Sequence, residues 1–185
     1  MGQTQGGAHR IRPSARLIKT IGSDLIKDKY AAVVELVKNS YDADASVCDI
    51  KFSFDENNNT LTISVADDGH GMNVDTVVNK WMVPATSDKL DRRESPAGRP
   101  LQGRKGIGRF AAAALGDQIF LLTKEEGAKE VSLLLDLDVF SSDKLLEEID
   151  ILVEEGSLTA DEGTYLEVKN DNYTVERIEE EWGPN

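Results

Sequence analysis

The sequence predicts an α+β fold, because helical and strand-like patterns occupy separate stretches of the chain. The clearest helical spacing covers about residues 29–44. Residues 46–54 and 60–67 alternate between apolar and polar side chains, and the DENNN turn between them predicts a β-hairpin. With 185 residues, the chain is long enough to form one domain with a sizeable hydrophobic core.

The other elements can be assigned in order along the chain. Residues 1–13 are rich in glycine and polar residues and predict an N-terminal arm, so the domain itself is expected at 14–185. The sequence ARLIKTIG after Ser14 predicts a first helix. The later patterns predict a short helix at about 73–82 with Asn73 as its N-cap, strands at 117–124 and 130–138, a capped helix at 141–150, a strand at 164–170 and a last helix at 174–182.

Three polar side chains interrupt the apolar run of the 29–44 helix. Glu35, Asn39 and Asp42 are four and three residues apart, so all three project from one face. Their apolar neighbours that suit burial are Val33, Val34, Leu36, Val37 and Tyr41. Burying the three polar groups costs free energy unless each finds a partner, such as a metal ion, a water or a polar ligand. A solvated stripe on an amphipathic helix is the alternative interpretation.

A second polar cluster, DDGHGM at 67–72, follows the 60–67 strand. Its two glycines allow the backbone to bend and to approach a flat ligand closely. A carboxylate at the end of the strand can accept a hydrogen bond from an amine. An ordinary turn with two solvated aspartates is again the alternative, and His70 is interpreted as a solvated loop residue.

The stretch at about 83–105 lacks periodicity and predicts a long loop of the kind that forms a mobile lid. It leads into GRKGIGRF at 103–110, where glycines precede an alanine-rich helix. Backbone N–H groups at such a helix start bind anions, and Lys105 and Arg109 add positive charge. The spacing matches neither the P-loop nor the dinucleotide-binding fingerprint.

The charge distribution narrows the classes of ligand and partner. The formal net charge is −13, yet residues 80–109 contain eight basic and three acidic residues. A local positive region in an acidic protein suits a nucleotide phosphate rather than duplex nucleic acid. The sequence has no apolar run near the roughly 18 residues of a membrane span and no secretory signal, so a cytoplasmic protein is expected. Cys48 is the single cysteine and is expected to be a small buried side chain.

Taken in order, these motifs resemble those of the GHKL ATPase superfamily, named for DNA gyrase, Hsp90, histidine kinases and MutL. ELVKNSYDADA at 35–45 resembles the N-box in its MutL and Hsp90 forms. DDGHGM resembles the D-x-G-x-G box, GRKGIGRF the glycine-rich third box, and Gly163-Thr164 the GT pair on a late strand. ATSDK at 85–89 resembles a segment that precedes the lid in MutL-like members. The resemblance covers roughly residues 14–170.

The resemblance implies a Bergerat fold, which is a two-layer α/β sandwich. Its sheet is mixed and mostly antiparallel, its helices lie on one face, and ATP binds between the helix layer and a lid. By position, Glu35 would be the general base that orients the attacking water, and Asn39 would hold Mg2+. Asp42 and Ala43 would line the nucleotide pocket.

The adenine and phosphate contacts are also implied by position. Asp67 would accept the adenine amino hydrogen, with Thr164 supporting that contact and Gly69, Gly71 and Met72 close to the base. Phosphates would receive N–H groups from the third box and charge from Lys105. The residues assigned to these phosphate contacts are Gly106, Ile107, Gly108, Arg109 and Phe110, and Thr86 of the ATSDK match is assigned to the same nucleotide site.

The resemblance also implies partners and leaves alternative functions open. Members usually need further domains and often dimerise with ATP, so the chain is expected to be the N-terminal part of a longer protein that forms an ATP-dependent homodimer. Neither a membrane nor direct nucleic-acid binding is expected. Glu35 favours ATP hydrolysis, because histidine kinases of the superfamily typically lack it. The alternatives are a nucleotide-sensing module without significant turnover, a histidine-kinase-like phosphotransferase, and a non-nucleotide domain with chance motif matches.

Overall fold

The computed structural model describes residues 10–20, 26, 28–83, 93–103, 108–156 and 161–183. The first helical turn lies at 17–20, after Ser14 forms a bridge with Leu145. Close to it, Arg12 pairs with Glu147 at 2.6 Å. Within the described ranges, no helix has the length and apolar character needed to cross a bilayer.

Six strands form one sheet in the order β1-β2-β6-β3-β4-β5, and every described pair of neighbours is antiparallel. The strands are β1 (Cys48–Asp55), β2 (Thr60–Asp67), β3 (Gln118–Lys124), β4 (Val131–Asp136), β5 (Val153–Glu155) and β6 (Gly163–Asn170). The predicted hairpin is therefore confirmed as β1 and β2. The order places the late strand β6 between the early strands β2 and β3, so the sheet depends on pairing between distant parts of the chain.

The core lies on one face of this sheet. In β2 and β6, Ile63 faces Val168 and Val65 faces Leu166 across the strands, and all four are buried. Directly opposed residues of an antiparallel pair share a face. The alternating pattern therefore gives each central strand an apolar side that the helices cover, as expected for an α+β sandwich.

The main helix, α1 (Lys29–Asp42), covers this apolar face. Asp28 caps it by accepting a hydrogen bond from the N–H of Tyr30. Its buried stripe contains Ala32, Leu36 and Ser40, which are four residues apart and therefore share one face. Val34 and Tyr41, which the sequence predicts to be buried, are instead 50% and 39% exposed because they project away from the sheet.

Two shorter helices were located correctly, although one differs in type. Asn73 accepts a hydrogen bond from the N–H of Thr76 and begins α2 (Val74–Thr76), which continues as a π-helical turn, Val77–Trp81. The last helix, α3 (Val175–Trp182), has Thr174 as its N-cap.

The sequence prediction is wrong for residues 141–150, and it specified neither the helix type of the alanine-rich segment nor one short strand. The 141–150 helix is absent, and 3-10 turns occur instead at Leu137–Ser141 and Leu146–Glu148. The alanine-rich segment forms a 3-10 helix, Gly108–Ala114, which packs on α1 with Ala111 and Ala112 completely buried. The three-residue strand β5 was not predicted, since it is too short to show alternation.

Helix α3 is attached to the start of α1 by a polar cluster. Lys29, Tyr173 and Arg177 all contact the carboxylate of Glu181, with Arg177 Nε at 3.0 Å from Oε1. Trp182 donates to the hydroxyl of Tyr173 at 3.0 Å. Burial, followed by the hydrogen bond to Glu181, raises the pKa of Tyr173 to about 12. Although burial opposes ionisation, the hydrogen bonds from Lys29, Tyr173 and Arg177 lower the pKa of Glu181 to about 2.

Candidate functional site

A cavity of about 410 Å³ lies between α1 and the ends of β2, β3 and β6. Its volume is in the range of small-molecule sites. Its apolar walls include Leu36, Val65, Leu121, Leu166 and Trp81, and its polar lining includes Asn39, Ser40, Asp42, Asp67, His70 and Thr164. This combination of apolar walls and a few convergent polar groups is typical of a pocket for a flat, partly polar ligand.

Asp67 is a half-buried acid of this cavity, held by two hydrogen bonds from the protein. The Ser40 hydroxyl donates to Oδ2 of Asp67 at 2.7 Å, and the Gly69 N–H donates to Oδ1 at 3.1 Å. Burial raises the pKa of Asp67, although these two hydrogen bonds act in the opposite direction. The carboxylate is held in one orientation, and each of its oxygens has a further lone pair for a ligand donor.

Thr123 is a functional candidate that the sequence reasoning missed. Its Oγ1 accepts from the N–H of Met72 at 3.0 Å and donates to the carbonyl of Gly163 at 3.0 Å. The hydroxyl of Thr164 lies 3.0 Å from the same atom. Thr123 is 2% exposed and thus joins the loop after β2 to the start of β6. The available signal was alternation in β3, which places this hydroxyl on the same inward face as Ile119 and Leu121.

The loop after β2 packs closely on its neighbours. Gly71 has φ +58°, and an added Cβ would lie 1.9 Å from the carbonyl oxygen of Lys124. At Gly69 an added Cβ would lie 2.7 Å from the carbonyl oxygen of Ala43. The N–H of His70 donates to that same carbonyl at 2.9 Å. The two glycines therefore allow the loop to pack against neighbouring backbone, and their predicted close approach to a ligand stays a prediction. His70, although exposed, also lines the cavity.

A second polar group assembles where α1 meets the Gly108–Ala114 helix. An added Cβ on Gly108 would lie 2.9 Å from Oε2 of Glu35 and 3.9 Å from Oδ1 of Asn39. Lys38 donates to Oε1 of Glu35 at 2.6 Å. Glu35 therefore lies one turn before the cavity-lining Asn39 and beside Gly108, the last glycine of GRKGIGRF.

Part of the predicted lid is a compact hairpin attached to α1. Residues 93–101 fold back on themselves, with the Ser95 N–H donating to the Arg99 carbonyl at 2.8 Å and the Leu101 N–H donating to the Arg93 carbonyl at 3.1 Å. We call this the 93–101 hairpin. Pro96 and Leu101 of this hairpin line the cavity.

Asp42 connects α1 to the residues just after the hairpin. Its two carboxylate oxygens accept the N–H groups of Gln102 at 2.7 Å and Gly103 at 3.1 Å. Asp42 is 6% exposed, so it does not belong to a solvated stripe.

The structure brings most of the predicted site residues together. Those that line the cavity are Asn39, Asp42, Ala43, Asp67, Gly71, Met72 and Thr164. Gly69 lies just behind this lining, against Ala43. Gly108, Arg109 and Phe110 begin the 3-10 helix, with the Phe110 side chain in the hydrophobic core. Thr86, Lys105, Gly106 and Ile107 lie outside the described residues.

The side-chain oxygens at this site suit Mg2+ when a bound ligand supplies part of the coordination of the ion. Among the described residues, no group of three or more His, Cys, Asp or Glu side chains could hold a metal ion. The oxygens of Asn39, Glu35 and Asp42 are the type that Mg2+ prefers, and this ion commonly takes one or two protein ligands together with substrate phosphates and waters. The residues therefore fit Mg2+ carried by a phosphate ligand.

Comparison with known proteins gives an independent match to the same region. Residues 28–164 match the model of a family described as histidine kinase-, DNA gyrase B-, and HSP90-like ATPase. The DNA mismatch repair protein MutL of Methanocorpusculum labreanum is 38% identical over 112 residues, which are 60% of this chain and 18% of that relative. The chain thus spans less than a fifth of the relative's length. The family match begins at the N-cap of α1 and ends at Thr164, so it includes nearly all the residues that meet around the cavity.

Proposed function

Because the chain belongs to the family of histidine kinase-, DNA gyrase B- and HSP90-like ATPases, we propose that it binds ATP with Mg2+ in the cavity beside α1 and hydrolyses it. The observation that carries this proposal is the arrangement of polar groups along one helix. Ser40 holds the enclosed Asp67, while Glu35 and Asn39 lie beside Gly108. Glu35 and Ser40 are five residues apart, which corresponds to about 7.5 Å along the helix axis, and Asn39 lies between them.

In this proposal Asp67 accepts a hydrogen bond from the adenine amino group. Its raised pKa reflects an enclosed environment, in which a single hydrogen bond discriminates strongly between bases. Thr164, held by Thr123, supports the same contact directly or through a water. The apolar walls then cover the faces of the ring.

At the other end, the chain would position the phosphates and the attacking water. Asn39 would hold Mg2+, which offsets phosphate charge when it is bound. Backbone N–H groups from Gly106 to Phe110, with the charge of Lys105, would bind the phosphates. Glu35 would orient a water in line with the terminal phosphate, a role that needs position more than covalent chemistry.

Calorimetric binding and phosphate-release assays test this proposal on the whole chain. Wild-type protein should bind Mg-ATP and release phosphate, Glu35→Gln should bind without release, and Asp67→Asn should lose binding by at least about tenfold, since it replaces a hydrogen-bonded charge. Glu147→Gln is the matched control, because this exposed carboxylate pairs with Arg12 and is not among the residues that line the cavity. Wild-type affinity retained by Asp67→Asn would contradict the proposed adenine contact.

The Lys38–Glu35 ion pair favours a second candidate, a nucleotide-dependent switch without significant turnover. In this conformation, one oxygen of Glu35 is already engaged by Lys38 at 2.6 Å. If Lys38 keeps Glu35 from the water, Lys38→Ala should raise phosphate release. Binding without release in wild type and in Lys38→Ala would favour the switch over the hydrolase.

We also propose that the domain works inside a larger protein and forms a homodimer when ATP is bound. Support comes from the much longer MutL relative, of which the match covers 18%. Light scattering on the chain with and without a non-hydrolysable ATP analogue checks dimer formation. A monomer at both conditions and at tens of micromolar protein would contradict an ATP-driven dimer of this domain.

A further inference from the structure

Asp44 adopts an unusual backbone conformation just beyond α1. Its φ is +61°, in the left-handed region that is strained for a non-glycine residue. Aspartate tolerates this region better than most residues, because its short side chain can form local hydrogen bonds. Its side chain is only 15% exposed. A strained residue with an enclosed carboxylate indicates that the carboxylate has a specific task.

The carboxylate of Asp44 holds the tip of the 93–101 hairpin. Oδ1 accepts a hydrogen bond from the hydroxyl of Ser95, and Oδ2 accepts the N–H of Ala97 at 2.9 Å. The Ser95 hydroxyl also accepts the N–H of Arg99 at 2.9 Å, so one carboxylate orders the whole turn. The pKa of Asp44 is lowered, mainly by the hydrogen bond from the Ser95 hydroxyl. The Ala97 N–H and the charge of Arg99 lower it further, whereas partial burial acts in the opposite direction.

Arg99 fastens the other side of the hairpin to the same end of α1. Its guanidinium donates to the carbonyl of Ala45 at 2.7 Å and lies 5.3 Å from the centre of the Tyr41 ring, within the range of a cation–π contact. Its Nε lies 3.8 Å from Oδ1 of Asp44. The contacts of Arg99 with Tyr41, Asp44 and Ala45 therefore hold the hairpin against the C-terminal end of α1.

The hairpin is part of the cavity, so this attachment bears on ligand binding. Pro96 lies between Ser95 and Ala97, the two residues that Asp44 holds, and it lines the cavity together with Leu101. Two residues further on, Gly103 is held by Asp42 and leads into the glycine-rich segment. Asp44 is therefore not among the residues that line the cavity, but it holds the hairpin that forms one of its walls.

We propose that Asp44, with Arg99, is a positioning residue of the nucleotide site, which holds the 93–101 hairpin as a preformed wall of the cavity. This inference rests on the proposed function for the identity of the ligand. If the hairpin occupied its place only about a tenth of the time, apparent affinity would fall roughly tenfold. The effect would appear in affinity and not in the fold, because the hairpin adds little to the hydrophobic core.

Asp44→Gly tests the proposal, since glycine adopts a positive φ without strain and lacks the carboxylate. We expect its melting temperature to stay within about 3 °C of wild type, because the relieved backbone strain offsets the lost hydrogen bonds. Its dissociation constant for a non-hydrolysable Mg-ATP analogue should rise about tenfold. Asp44→Asn keeps hydrogen-bond acceptance from Ser95 or Ala97 and should recover part of the affinity.

Hydrogen exchange without nucleotide tests the attachment separately from the ligand. In Asp44→Gly and in Arg99→Ala, the amides of Ala97, Arg99 and Leu101 should exchange faster than in wild type, while those of β2 and β6 stay unchanged. Arg12→Ala is the matched control, because this arginine pairs with Glu147 away from the cavity. Unchanged exchange in the hairpin would overturn the proposal, and so would wild-type affinity in Asp44→Gly. If wild type itself binds no analogue, the proposed function fails, and the inference about a nucleotide site fails with it. Faster hydrogen exchange in the hairpin of the two variants would in that case still establish that Asp44 and Arg99 attach the hairpin.

Discussion

The hydroxyl of Ser40 donates a hydrogen bond to Oδ2 of Asp67 at 2.7 Å, which joins the last turns of α1 to the end of β2. Ser40 is 2% exposed, and it belongs to the same buried stripe of α1 as Leu36. The pair therefore links the packing of the helix on the sheet to the orientation of the acid that is proposed to bind adenine.

Ser40→Ala should weaken nucleotide binding while leaving the chain folded. Removing the donor takes one hydrogen bond from the Asp67 carboxylate, which costs about 1–3 kcal/mol and corresponds to roughly 5- to 150-fold if it falls on binding. Titration calorimetry with Mg-ATP measures the affinity, and Ser53→Ala on the exposed edge strand β1 is the control. Equal affinities for the two variants would show that the Ser40 hydroxyl does not orient Asp67 for the ligand.

Gly108→Ala should lower turnover without unfolding the protein. The added Cβ would lie 2.9 Å from Oε2 of Glu35, and that oxygen is the end of a flexible side chain that can move away. Because Glu35 is the proposed general base, its displacement should disturb the orientation of the attacking water, and a misplacement of about 1 Å can cost on the order of a hundredfold in rate. Phosphate release at saturating nucleotide measures this effect.

The double variant Glu35→Gln, Gly108→Ala separates this explanation from others. If Gly108 acts through Glu35, adding Gly108→Ala to Glu35→Gln should change neither affinity nor residual rate, because coupled residues are not additive. A further loss in the double variant would mean that the methyl group blocks the phosphates directly.

Gly163→Ala should destabilise far more than Gly127→Ala. Both glycines have positive φ, at +132° and +70°, so both substitutions introduce backbone strain. Only at Gly163 would the new Cβ meet fixed backbone, at 2.0 Å from the carbonyl oxygen of Asp67, whereas nothing lies within 4 Å at Gly127. We expect a fall in melting temperature of a few degrees for Gly127→Ala, from about 1–2 kcal/mol of strain, and at least twice that for Gly163→Ala. Similar melting temperatures would contradict the close approach of β6 to the loop after β2.

Glu181 should make stability depend on acidic pH. Its pKa in the folded chain is about 2, below its ordinary value of 4.5, so its contribution is complete above about pH 4.5 and is lost as the pH falls towards 2. At pH 7, Glu181→Gln should be less stable by about 1–3 kcal/mol, the usual size of a charge-assisted hydrogen bond. Urea unfolding at pH 7, 4.5 and 3 measures the difference, with exposed Glu180→Gln on the same helix as the control. If the difference in free energy of unfolding between wild type and Glu181→Gln stays constant over this pH range, the hydrogen bonds to Glu181 in the cluster around Tyr173 are contradicted.

Local sequence patterns predicted those parts of the fold that depend on one element at a time. Alternation located the strands β1, β2, β3 and β6 within two residues, and the predicted cap Asn73 marked the start of its helix. The alanine-rich segment was predicted as a helix without a type, and the structure shows a 3-10 helix whose Ala111 and Ala112 are completely buried.

The sequence by itself determined the family, the positions of most strands, and the common face of Glu35, Asn39 and Asp42, because these follow from patterns within short segments. Only the tertiary structure decided that β6 lies between β2 and β3, that Thr123 joins Met72 to Thr164, and that Asp44 holds the 93–101 hairpin. Each of these relationships joins residues that are tens of positions apart. No local spacing specifies such a pair, since the partner is selected only when all apolar faces are buried and all enclosed polar groups are satisfied together.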